Sequence, residues 1–147
     1  MNEKDDSFLG RGWAFPPAFN FELGTVETVA ADEDIKQSIR IIIETIPGER
    51  IMFTTFGCGI RKYVFESNDP THMSMLKDAI YDALLYNEPR IKLEKIDISN
   101  NSQLNGDLSA DNQIDGKIFI HIYYKIITTN TRSNMVYPFY VNEGTNL

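Results

Sequence analysis

A single cysteine, Cys58, stands among the 147 residues, so no internal disulfide can form. Small secreted domains lean on disulfides, and their absence favours an intracellular origin. Positive charge is also scarce: 14 Lys and Arg stand against 21 Asp and Glu, for a net charge of −7. Wrapping nucleic acid needs clustered cations and docking on an anionic bilayer needs a cationic stripe, so neither is an expected partner. No apolar run approaches the ~20 residues that span a bilayer. The most apolar stretch, 39–46, is broken by Arg40 and Glu44. The first six residues are polar and acidic, without the basic and apolar blocks of a secretion signal. Only two histidines occur, His72 and His121, and neither lies in a metal-ligand spacing. No metal and no cofactor is expected. A G-x-S-x-G turn is missing too.

What is present suffices for a core. Apolar residues make up 42% of the chain and aromatics 12%. A domain of about 150 residues buries roughly 68–70% of the surface its unfolded chain exposes. Residues 1–7 read as a flexible tail and 8–147 as one domain. Within it, 99–116 is rich in Asn, Ser, Asp and Gly and reads as a long mobile loop. Asp107, Asp111 and Asp115 miss the spacing of a calcium loop.

The segment 8–17 sets Trp13 and Phe15 among Gly and Pro, which excludes a regular helix or central strand. These aromatics either pack as an irregular strap on the domain's own core or dock on a neighbour. Ile35, Ile39, Ile42, Ile43 and Ile46 then recur at helical spacing, with Asp34 and Gln37 suited to a capped start and Pro47-Gly48 to a stop. Around Cys58, Gly57 and Gly59 predict a tight turn with positive φ at one or both. A phosphate-cradling loop lacks its Lys-Ser/Thr end. Cys58 is either a buried thiol or one activated by Arg61 and Lys62. A second helix starts at Asp69-Pro70 and fades at Asn87, because Pro89 disfavours helical geometry at Glu88. Met73, Leu76, Ile80, Ala83 and Leu84 line its inner face.

Beyond Arg90 the period becomes two. Ile91 and Leu93 are out of phase with Ile96 and Ile98, which predicts a bulge near Glu94-Lys95. Alternation is strongest over 118–127, a hairpin connection follows at 128–131, and alternation resumes from Ser133. Pro138 marks this last strand as an edge. The architecture is α+β: two helices packed on a small, mainly antiparallel sheet with a C-terminal hairpin.

Two elements suit docking. Pro89 stiffens a corner from which Glu88 and Arg90 point the same way, either pairing with each other to hold the junction or binding a partner. The last strand carries no Lys and no acid over 133–140, with one Arg, Arg132, just before it, so its edge is weakly guarded and open to strand addition.

These features together resemble the small baseplate-wedge, sheath-initiator proteins of contractile phage tails, phage-like injection particles and type VI secretion systems. The resemblance is carried by Leu9-Gly10-Arg11-Gly12-Trp13, Phe15-Pro16, the helix closing in Thr45-Ile46-Pro47-Gly48-Glu49-Arg50, Phe56-Gly57-Cys58-Gly59-Ile60-Arg61 and Glu88-Pro89-Arg90. It covers most of residues 8–98. Many relatives have a proline near Thr54 or Thr55, and the 99–116 loop is longer than the family needs. The resemblance implies a non-enzymatic structural protein, made in the cytoplasm and carried in the baseplate. Glu88, Pro89 and Arg90 would bind the helical core bundle of larger wedge proteins. Ser133, Met135, Tyr137, Phe139 and Val141 would template sheath subunits. Six copies would ring the inner tube. Some members are labelled lysozymes, so a peptidoglycan-cleaving glycosidase using Glu49, Glu66 or Glu88 is the alternative.

Overall fold

A computed structural model describes residues 9–64, 70–99 and 117–140. The expected tail 1–7, Glu66, Asp69, Val141 and all of the expected loop 99–116 but Ser99 lie outside these residues; Ser99 belongs instead to the end of a strand. The order is β1 (Arg11–Trp13), β2 (Phe19–Asn20), β3 (Thr25–Val26), β4 (Thr28–Ala30), α1 (Ala31–Glu44), α2 (Ile60–Val64), α3 (Pro70–Asn87), β5 (Ile91–Ser99), β6 (Lys117–Ile126) and β7 (Thr131–Tyr140).

The period-two segments form one antiparallel sheet in the order β5-β6-β7. Its register shifts between Leu93 and Lys95, where the phase of the isoleucines demands it. On β6, Ile118, Ile120, Ile122, Tyr124 and Ile126 are all buried against the helices. Ile35, Ile39, Ile42 and Ile43 of α1 and Leu76, Ile80, Ala83 and Leu84 of α3 complete the core. This is the expected α+β fold, two main helices on a three-stranded antiparallel sheet.

Local readings differ in two places, the start of α1 and the presence of α2. Helix α1 begins at Ala31, one turn before Asp34, and Ala30 caps it without a side-chain bond. Neither polar side chain of the expected cap serves it: Asp34 pairs with Arg90, and Gln37 Oε1 accepts from Phe15 N at 2.7 Å. The tight turn expected around Cys58 is present, with positive φ at Gly57, +113°. A Cβ there would collide with the Thr45 carbonyl. The single turn of α2 carries too little periodicity to be read from sequence.

The N-terminal segment is the largest departure. It forms two short antiparallel ribbons, β1 with β4 and β2 with β3. Leu9 joins the core. Phe15 is half-buried under the Arg40 guanidinium, 5.7 Å from its ring centroid. Trp13 does not pack down as a strap would: it is 66% exposed and meets Phe19 edge-on.

Candidate functional site

Helix α3 ends where the sequence says it should. Glu88 N still donates to Leu84 O at 2.9 Å, and Pro89 then stops the ladder. The turn brings Arg90 back onto Glu88. Arg90 Nε and Nη2 donate to the two carboxylate oxygens at 2.7 and 2.8 Å, a fork-to-fork pair. Nη1 donates to Asp34 Oδ2 at 2.6 Å and to Leu9 O at 3.1 Å. The Ser38 hydroxyl also bonds the Glu88 carboxylate. Glu88 is 2% exposed. Burial pushes its pKa up, but the hydrogen bonds from Arg90 and Ser38 outweigh burial and hold it below the usual carboxylate value. Hydrogen bonding to Glu88, followed by that to Asp34, raises the Arg90 pKa against the opposing effect of burial.

The corner thus ties three parts of the chain: the α3–β5 junction, the first turns of α1, and the segment entering β1. The glycines of Leu9-Gly10-Arg11-Gly12 make room for it. Gly10 has φ +98°, and a Cβ on Gly12 would collide with the Asp34 carboxylate. Of the two readings open in the sequence, internal pairing of Glu88 with Arg90 is present, and Pro89 beside it is exposed.

Strand β7 has the opposite character. It pairs only with β6 among the described residues, so one flank is an edge. Its parity follows from the ladder. Ile127 N donates to Arg90 O at 3.0 Å, so odd-numbered residues of the β6 strand direct their backbone groups to β5. Even-numbered ones face β7, and their partners there are Thr131, Ser133, Met135, Tyr137 and Phe139. The N–H and C=O groups of Arg132, Asn134 and Val136 therefore point outward. Pro138 falls in that outward set, where its missing N–H costs no ladder bond. The side chains of Ser133, Met135, Tyr137 and Phe139 are half-buried and lean toward the helices, whereas their even-numbered neighbours are exposed.

Beside β7, Ile43, Glu44, Ile46, Cys58, Ile60, Arg61, Tyr137 and Phe139 enclose a recess of about 350 Å³. Tyr137 donates from its hydroxyl to Glu44 Oε1 at 3.2 Å. Burial, then the Glu44 charge, pushes its pKa up to about 12. Burial likewise raises the Cys58 thiol to about 11, which favours the inert thiol over the activated one.

Of the carboxylates named for glycoside cleavage, Glu66 lies outside the described residues, and Glu88 and Glu49 are both engaged within the chain. A general acid needs a raised pKa, and that of Glu88 is lowered. Glu49 Oε2 accepts from Ile46 N at 3.0 Å and braces the turn after α1. Among the described residues, no group of three or more His, Cys, Asp or Glu could hold a metal, and no helix is long and apolar enough to cross a membrane.

A chain from the six-fold symmetrised baseplate of the anti-feeding prophage is 25% identical with a TM-score of 0.62, over 95% of this chain and 92% of its own. A Geobacter sulfurreducens protein with the provisional name of tail lysozyme is 39% identical with a TM-score of 0.65, over 79% of this chain and 96% of that one. A chain in the baseplate complex of a type VI secretion system shares the fold at 16% identity and a TM-score of 0.51, over 74% and 92% of the two chains. Curated protein sequences give no match. The family model for baseplate wedge protein gp25 matches residues 29–131, from β4 through both main helices to the first residue of β7. With the corner, both helices and the central strand inside that match, the chain belongs to the gp25 family of baseplate wedge proteins.

Proposed function

We propose that this wedge protein is a structural part of a contractile injection machine that starts the sheath. Docking on the larger wedge proteins holds it in the baseplate, and β7 then receives the first strand of a sheath subunit. The observation that carries this reading is the open edge of β7, with its alternate N–H and C=O groups outward and a recess alongside. Each main-chain bond nets only about 0.5–1.5 kcal/mol, so several must form in register. Tyr137 and Phe139, at the recess, would select that register through the incoming side chains. Docking through the Glu88-Pro89-Arg90 corner would use the exposed Pro89 and the third of the Arg90 side chain left open, 30% by area. Six copies around the inner tube would offer six such edges.

Val136→Pro tests the template. It removes one outward donor and no ladder bond. Particles carrying it should show baseplates and tubes with absent or scattered sheath by electron microscopy. Normally sheathed particles would move the template away from β7. The glycosidase reading has one support, the name of the Geobacter sulfurreducens relative. Clearing of a cell-wall suspension by purified protein, lost in Glu49→Gln, would be required to restore it.

A further inference from the structure

The helical layer reaches further than the sheet it covers. Ile43 and Glu44 at the end of α1, Ile46 just beyond it, Cys58, and Ile60 and Arg61 of α2 line the recess of about 350 Å³. From the sheet only Tyr137 and Phe139 of β7 join them, and among the described residues none of β5 or β6 does. The recess therefore lies past the β7 flank, on the side away from β6. Neighbouring strands lie about 4.7–4.9 Å apart, and side chains directly opposite one another keep their Cβ atoms about 4.5–5.5 Å apart. A strand added at the β7 edge would thus set its helix-facing side chains next to Tyr137 and Phe139, over this recess.

The backbone supplies least at the same place. Arg132, Asn134 and Val136 offer both N–H and C=O outward, but the next outward residue is Pro138, which has no N–H. A ladder to an added strand thins where the recess opens, so the hold there must come from a side chain. Its chemistry follows from the walls. Ile43, Cys58 and Ile60 are buried, and Ile46 and Phe139 are half-buried. The Glu44 carboxylate already accepts from Arg40 Nε at 2.8 Å and from the Tyr137 hydroxyl at 3.2 Å, so it asks for no further cation. A cation seated there would lose water without gaining a partner, whereas an apolar group gains from all the apolar wall it covers.

We infer that a strand added to β7 is anchored by one bulky apolar side chain, an aromatic or long aliphatic residue on its helix-facing side, seated in the recess between Ile46, Ile60 and Phe139. The inference rests on the reading of β7 as the acceptor of a sheath strand, and it names the residue class that strand must carry.

The test fuses a probe strand to the chain behind Leu147 through a short Gly-Ser linker, which holds it at about millimolar effective concentration. The probe is Thr-Thr-Thr-Xaa-Thr-Thr-Thr, so that only Xaa varies. Amide hydrogen exchange followed by NMR reads the outward N–H groups of Arg132, Asn134 and Val136. With Phe or Leu at Xaa, protection of these amides should exceed that of the Ala version at least tenfold. Lys and Asp versions should protect no better than Ala. Ile46→Trp, which fills the recess from its rim, should return the Phe version to the Ala level while the chain keeps its helical circular dichroism. Phe139→Trp fills it from the strand side should Ile46→Trp disturb the fold. Equal protection by Phe and Ala would overturn the anchor, and so would a Phe advantage that survives filling of the recess. An Asp version protected as well as Phe would overturn it too, and would assign the recess to Arg61 and an acidic strand. In each of these outcomes, protection above that of the unfused chain leaves β7 standing as a strand acceptor. No protection by any version would sink that wider reading, and the anchor with it.

Discussion

The Glu88–Arg90 corner and strand β7 treat their polar groups in opposite ways. At the corner, charges are withdrawn from water and answered within the chain: a guanidinium bonds two carboxylates and a carbonyl, and the acid it grips is almost fully buried. Along β7, a row of backbone donors and acceptors is left facing outward. The first arrangement makes a junction stiff, because a buried ion pair that loses one partner is costly. The second fits the proposed strand addition, because outward backbone groups gain on meeting a strand. The corner's identity as a motif and its role in holding the fold are therefore entangled, while β7 can lose its outward bonds without losing the fold.

Substitutions can break this contrast. Arg90→Ala should have the largest effect, about 3–5 kcal/mol of lost stability by urea unfolding, because it leaves Glu88 buried and unpaired. Glu88→Ala with Arg90→Ala should cost less than the sum of the two single changes, since both charges leave together. A loss under about 1 kcal/mol in Arg90→Ala would show the corner to be dispensable for folding. Acid sharpens the same point. The folded-state pKa of Glu88 lies below its ordinary value near 4.5. Its stabilising contribution is therefore complete above that value and is lost as pH falls through the folded pKa. The stability advantage of the native chain over Glu88→Gln should shrink below about pH 4.5 in urea midpoints taken across that range.

Next in size, Tyr137→Pro should destabilise by about 1–3 kcal/mol or more, as it removes a ladder donor and strands a β6 carbonyl. Val136→Pro, one residue away, should stay within about 1 kcal/mol of the native chain because its N–H faces outward. Equal losses would disprove the parity of β7. Gly12→Ala should cost about 1–3 kcal/mol by overpacking against Asp34 and should speed proteolysis of the segment before α1. The smallest change is a gain. Ala31 holds φ +58°, so Ala31→Gly should raise stability by about 1 kcal/mol, read as a higher melting temperature.

Elements with strong periodicity were legible without coordinates. Ile35, Ile39, Ile42 and Ile43 of α1, the Pro70 start and Pro89 stop of α3, the phase shift at Glu94 and the alternation of β6 each constrain the local backbone and stand where expected, whereas Ile46 falls beyond the end of α1 at Glu44. The edge position of β7 also stands where expected among the described residues, because a residue without an N–H cannot sit in a central ladder. Other signals were ambiguous for physical reasons. Asp34 has the same chemistry as a helix cap or as an ion-pair partner, and only its position opposite Arg90 decides which. Trp13 has the size of a core residue, yet it stays exposed and meets only Phe19 edge-on among the described aromatic rings. The one-turn α2 has no period to detect.

The sequence by itself determined the order and type of the main elements, the single core and the family, because periodicity, turn chemistry and motif order are local properties. Only the tertiary structure decided which polar groups are spent and which are left over. It closed Arg90 on Glu88, Asp34 and Leu9, turned alternate backbone groups of β7 outward, and set a recess beside Tyr137 and Phe139. Those outcomes depend on which distant residues meet, and burial of a charge or a face is a property of that meeting rather than of any one segment.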